Sequence, residues 1–185
     1  MKAFDGKQSW ILPYFLIFGM ALLRLGLANP YNLVPVFSCL LFFGAMRPKR
    51  EMVLPLFFLV GVDIFITLHS YAYPLSLEAV VTWGWYLMAM LLGAGALGIS
   101  RSWQRVAGCS LITSVTFFLV SNFAVWAAWQ MYPKTPAGLF TCYVAALPFF
   151  RNALSSEFCF SLLFFGLMGR VGALTAAETT QRAQC

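Results

Sequence analysis

Four ionisable side chains stand within stretches that are otherwise apolar: Arg24, Asp63, Arg151 and Glu157. Asn122 joins them as an uncharged polar group. A charge at mid-depth in a membrane helix costs about 2.5–3.5 kcal/mol on insertion scales, so such a group is paired, wetted or functional. The four formal charges cancel. Three arrangements accommodate them. They can line a pocket open to the outside. They can form two internal staples, Arg24 with Asp63 and Arg151 with Glu157, in a solid interior. Arg24 can also snorkel to the surface along its aliphatic stem.

The elements that position these groups follow from composition. Of 185 residues, 61% are hydrophobic and 10% charged, against about 25% charged in a soluble domain. Too little polar surface exists to face water, so the chain reads as an all-α membrane protein, a single bundle spanning lipid. Six spans are expected: Trp10–Ala28, Leu33–Met46, Met52–His69, Glu78–Ile99, Val106–Met131 and Leu147–Arg170. Lys2 and Lys7 precede the first, as in a signal peptide, but its length and Arg24 argue for a retained helix. The second span is short and carries Pro35. The stretch Ala137–Leu147 follows a Pro-rich turn and reads as a short outer helix, or as the start of a sixth helix broken at Pro148. The tail Thr175–Cys185 reads as a solvated cytoplasmic segment.

Basic residues set the orientation. Lys2 and Lys7, then Arg47, Lys49 and Arg50, then Arg101 and Arg105, then Arg170 and Arg182 alternate with loops that carry none, Lys134 excepted. Both termini are therefore expected inside, which requires an even number of spans. Aromatic belts agree: Trp83, Trp85, Tyr86, Trp126, Trp129 and Tyr132 fall near outer ends, Trp10 and Trp103 near inner ones. Gly93, Gly95, Ala96 and Gly98, and later Gly166, Gly169 and Gly172, are expected to let helices approach closely at the inner side.

This topology puts the polar groups in the outer half, on different helices. By helical rise Arg24 lies roughly 7 Å, Asp63 roughly 9 Å, and Asn122 and Glu157 roughly 12 Å below their outer helix ends. Above them stand Asn29, Tyr31 and Asn32, then His69, Tyr71 and Tyr73. Aromatic walls with few polar groups suit a flat organic ligand. The candidate lining is Arg24, Asn29, Asn32, Asp63, Tyr71, Tyr86, Asn122, Trp126, Arg151, Asn152 and Glu157.

Other chemistry finds little support. His69 is the lone histidine and reads as an interfacial hydrogen-bonding residue. The cysteines Cys39, Cys109, Cys142, Cys159 and Cys185 contain no CxxC and read as small hydrophobes. No HExxH, GxSxG or phosphate-binding loop occurs, so neither an enzyme, a cofactor, a metal site nor an internal ATPase is expected. The basic residues are dispersed, which excludes a nucleic-acid footprint.

The stretch from Val120-Ser121-Asn122-Phe123-Ala124-Val125-Trp126 through Tyr132-Pro133-Lys134-Thr135-Pro136-Ala137-Gly138-Leu139 to Cys142-Tyr143-Val144-Ala145-Ala146-Leu147-Pro148-Phe149-Phe150-Arg151-Asn152 resembles the DUF6580 type of bacterial transport proteins. Asn29-Pro30, Asn32, Pro35, Gly44 and Asp63 fit its earlier half. That group is similar in turn to S components of energy-coupling-factor (ECF) transporters, six-helix proteins that capture vitamins from outside. The resemblance implies a bundle in the bacterial inner membrane, a small organic micronutrient as ligand and an energy-coupling module as partner. It assigns the site to Asn29, Asp63, Asn122, Arg151 and Asn152, with Glu157 at a usual acidic position. Helix one lacks the AxxxA face that docks the coupling subunit, which leaves a solitary role open. The solitary cobalamin transporters of the BtuM type carry a cobalt-binding cysteine near the outer loops, whereas Ser70–Leu77 has none.

Overall fold

Long apolar runs without strict alternation can satisfy their backbone in lipid only as helices. The structure, a computed structural model, describes residues 11–26, 35–71, 74–98 and 102–182. Among these every regular element is helical: α1 (Leu12–Gly26), α2 (Val36–Met46), α3 (Val53–Phe65), α4 (Leu77–Leu92), α5 (Trp103–Ala128) and α6 (Pro136–Arg182). A 3-10 turn, Lys49–Glu51, joins α2 to α3, and wider π turns extend α3 over Ile66–Tyr71 and α4 over Gly93–Leu97.

Four segments are long and apolar enough to cross a membrane: Lys49–His69, Leu77–Leu97, Trp103–Ala128 and Pro136–Leu167. α1 and α2 are apolar but shorter. The outward faces fit a lipid solvent: Phe15, Leu54, Phe57 and Phe140 are each about two-thirds exposed, a state that water penalises and hydrocarbon does not.

Short α2 is the centre of the bundle. Every residue from Phe37 to Ala45 is buried, and α1, α4, α5 and α6 pack around it. Two glycines allow the closest crossing. A Cβ on Gly44 would overlap the Met90 carbonyl, and a Cβ on Gly93 would overlap the Leu41 carbonyl, so α2 and α4 meet backbone to backbone. Gly166 receives the Trp103 ring. Gly95 and Gly98 face open space, so the close approach expected of that whole cluster narrows to Gly93.

The basic end is locked by Tyr14, Arg47 and Glu51. The Tyr14 hydroxyl donates to Glu51 Oε2 at 2.6 Å, Arg47 Nε donates to the same oxygen at 2.7 Å, and the guanidinium lies 5.6 Å from the Tyr14 ring centroid. At the opposite end Lys134 closes α5: its ammonium donates to the carbonyls of Trp126, Ala127 and Trp129, groups the helix leaves unpaired.

The region after Lys134 differs from expectation. Pro136 opens one continuous α6 that runs through Pro148 to Arg182, so Ala137–Leu147 is not a separate outer helix and Thr175–Arg182 is helical. A proline in the first turn sacrifices no hydrogen bond. Pro148 removes one internal bond without ending the helix.

Candidate functional site

Arg24 on α1, Asp63 on α3 and Tyr86 on α4 meet at the end opposite the basic loops. Arg24 Nη1 lies 2.7 Å from Asp63 Oδ1 and donates to the Tyr86 hydroxyl at 2.7 Å. That hydroxyl donates in turn to Asp63 Oδ2 at 2.8 Å. Tyr86 and Asp63 are buried. The triad neutralises both charges and binds three helices, as apolar surroundings require.

Glu157 plays a different part. Val36 opens α2 directly after Pro35, and no side chain of its own caps that helix. The Glu157 carboxylate, arriving from α6, accepts the amides of Phe37 at 3.0 Å and Ser38 at 2.6 Å. A carboxylate suits this place because the first amides of a helix are unpaired and its N-terminus carries positive potential. Hydroxyls continue the network: Ser110 donates to Ser161 at 2.7 Å, Ser161 to Ser38 at 3.0 Å, and the Ser38 hydroxyl lies against Glu157. Four buried groups on α2, α5 and α6 are thus tied together.

Between these two networks opens a cavity of about 470 Å³. Arg24, Tyr86, Asn122 and Glu157 line it, with Thr82, Ser114 and Ser121. Phe117, Phe118, Phe149 and Phe150 form an aromatic wall, in which the Phe118 and Phe150 centroids lie 4.4 Å apart. Ser114 Oγ is buried there without a hydrogen-bond partner. A second cavity of about 230 Å³ adjoins, lined by Asp63, Thr67, Ser76, Glu78 and Trp83, and it shares Arg24 and Thr82 with the first.

Four of the residues singled out from sequence therefore line the main cavity, and Asp63 lines its neighbour. Others do not join them. Arg151 is exposed and, with Asn152, is absent from the cavity wall they were expected to line; nor does Arg151 pair with Glu157, as the alternative of internal staples requires. Six residues of helical rotation carry the two side chains about 120° apart on α6. The Trp126 indole donates to the Pro133 carbonyl at 2.9 Å and holds the α5–α6 turn instead. Asn29 and Asn32 lie outside the described residues, as does the side chain of Tyr71. Because α6 begins at Pro136, Glu157 sits about 32 Å along it, far deeper than a start at Leu147 implies.

Sequence alone does not single out Ser38, Ser114 and Ser161. A serine in an apolar run is indistinguishable in sequence from a small packing residue. Among the described residues no cluster of His, Cys, Asp or Glu is suited to a metal ion.

The model of a family of unknown function, DUF6580, matches residues 4–178. The chain belongs to the DUF6580 family. No curated protein and no solved structure matches it. In this DUF6580 chain the matched region takes in both polar networks and both cavities.

Proposed function

We propose that this DUF6580 protein spans the bacterial inner membrane six times, with both ends inside, and takes up a small organic micronutrient through the main cavity. The observation that carries this reading is the convergence of α1, α2, α4, α5 and α6 on one hollow of about 470 Å³ with an aromatic wall and a few polar groups. That size and lining match the small-molecule sites of proteins in general. The orphaned Ser114 hydroxyl adds a hydrogen-bonding point for a ligand. Planar rings of vitamin size suit the space.

The residues divide by role. Arg24 and Tyr86 hold the wall in place through Asp63, and Glu157 does so through α2. Ser114, Ser121 and Asn122 fix the orientation of the solute, and the phenylalanines stack on it. Inward release requires movement of the bundle, driven by a coupling module or by the solute gradient.

A second reading keeps the bundle as a structural membrane protein. It is favoured by Arg24–Asp63, which pairs as an internal staple would. Thermal unfolding in detergent against a panel of vitamins separates the two. Transport predicts that at least one compound stabilises the wild type, with a weaker effect in Asn122→Ala and Ser114→Ala. Equal responses of wild type and variants, or none at all, favour the structural reading.

A further inference from the structure

The smaller cavity has a chemistry of its own. Arg24 and Asp63 cancel each other there, so Glu78 leaves its wall with one net negative charge. Glu78 Oε1 accepts the Trp129 indole at 2.9 Å, but Oε2 is buried and has no hydrogen-bond partner. Ser76 occupies the N-cap position of α4, yet its hydroxyl makes no capping bond and is buried unpartnered. Trp83 Nε1 approaches the Asp63 carboxylate without reaching hydrogen-bond geometry and is buried unpartnered as well. Asp63, itself 8% exposed, is met on both oxygens, by Arg24 at 2.7 Å on Oδ1 and by the Tyr86 hydroxyl at 2.8 Å on Oδ2.

A buried polar atom left unmet costs about 1–3 kcal/mol. Three around one hollow of about 230 Å³, on Ser76, Glu78 and Trp83, mark a place built for an occupant. Its chemistry follows from the donors and acceptors. The free Glu78 oxygen needs a donor, an indole N–H can only donate, and a hydroxyl does either. The occupant therefore supplies several N–H donors and a positive charge toward Glu78 and Ser76, and an oxygen acceptor toward Trp83. A bare alkali ion balances the charge but leaves the indole unmet. Water meets the hydrogen bonds but leaves the charge.

We propose that this cavity binds a small primary amine, in its ammonium form, that also bears an oxygen acceptor. The site is distinct from the main cavity, although Arg24 and Thr82 stand between the two.

Ethanolamine is the probe. Thermal unfolding and tryptophan fluorescence of the full chain in detergent are followed as ethanolamine hydrochloride is added, with sodium chloride at equal ionic strength and with ethanol as references. A saturable rise in Tm with ethanolamine alone is expected. It is lost in Glu78→Gln and weakened about tenfold in Trp83→Phe, the worth of one hydrogen bond to the ligand. Trp83→Phe keeps an aromatic side chain without the N–H and serves as the test should Glu78→Gln not fold. Asn122→Ala, which alters only the main cavity, keeps the full response, so failure here leaves the micronutrient reading untouched. Identical Tm changes with ethanolamine and sodium chloride, or a wild-type response in both Glu78→Gln and Trp83→Phe, overturn the proposal.

Discussion

Glu157 of α6 accepts the Ser38 amide at 2.6 Å and so caps a helix more than a hundred residues earlier in the chain. With the Phe37 amide this meets two of the donors that α2 cannot meet itself. α2 is short and buried from Phe37 to Ala45, so its start lies inside protein. Glu157→Ala leaves both amides unmet, a loss of about 2–6 kcal/mol at about 1–3 kcal/mol each. Glu157→Gln keeps one acceptor and loses about half as much. Denaturation in detergent, read by circular dichroism, checks the order wild type, Gln, Ala.

The Arg24–Asp63–Tyr86 triad is a coupled unit. Asp63→Ala strands a cation and is expected to cost about 3–5 kcal/mol, whereas a well-packed apolar pair, Arg24→Met with Asp63→Leu, recovers most of that. Tyr86→Phe removes hydrogen bonds alone, at about 1.5–3 kcal/mol because its partners are charged. A double-mutant cycle on stability measures the coupling; strictly additive single losses would contradict the pairing.

Gly44 and Gly93 are predicted to tolerate no side chain. Alanine at either position meets a backbone carbonyl that cannot step aside, and the α2–α4 crossing opens at a cost of at least about 1–3 kcal/mol. Gly19 and Gly61 have open space around a Cβ. Alanine there gains about 0.5–1 kcal/mol of helix propensity. Thermal shifts of opposite sign in the two pairs are the expected outcome.

Orientation has its own test. Single cysteines at Lys49 and Thr135, in a background lacking native cysteines, are expected to react with an impermeant maleimide from opposite sides of sealed vesicles. Thr135 labels in intact spheroplasts and Lys49 only after permeabilisation. Labelling of both from one side contradicts the proposed topology.

Much of this architecture is legible in the sequence because charges are costly in lipid. Arg24 and Asp63 stand out for that reason, and the structure pairs them at 2.7 Å. The long spans follow from hydropathy, and four of them are long and apolar enough to cross. The depth of Glu157 was not legible because Pro148 resembles a helix breaker, whereas helix α6 absorbs it. Arg151 misleads by its proximity in sequence to Glu157, although helical rotation puts the two on different faces. Ser38, Ser110 and Ser161 gain their role only through tertiary placement, which spacing along one helix does not reveal.

Mass spectrometry of small molecules released from the purified protein, compared with Ser121→Trp, which puts an indole on the wall of the main cavity, is decisive for uptake through that cavity. An organic solute is expected from the wild type that the folded variant no longer carries. Release of the same compounds in the same amounts from both proteins, or of none from the wild type isolated in the native membrane lipids, would contradict it.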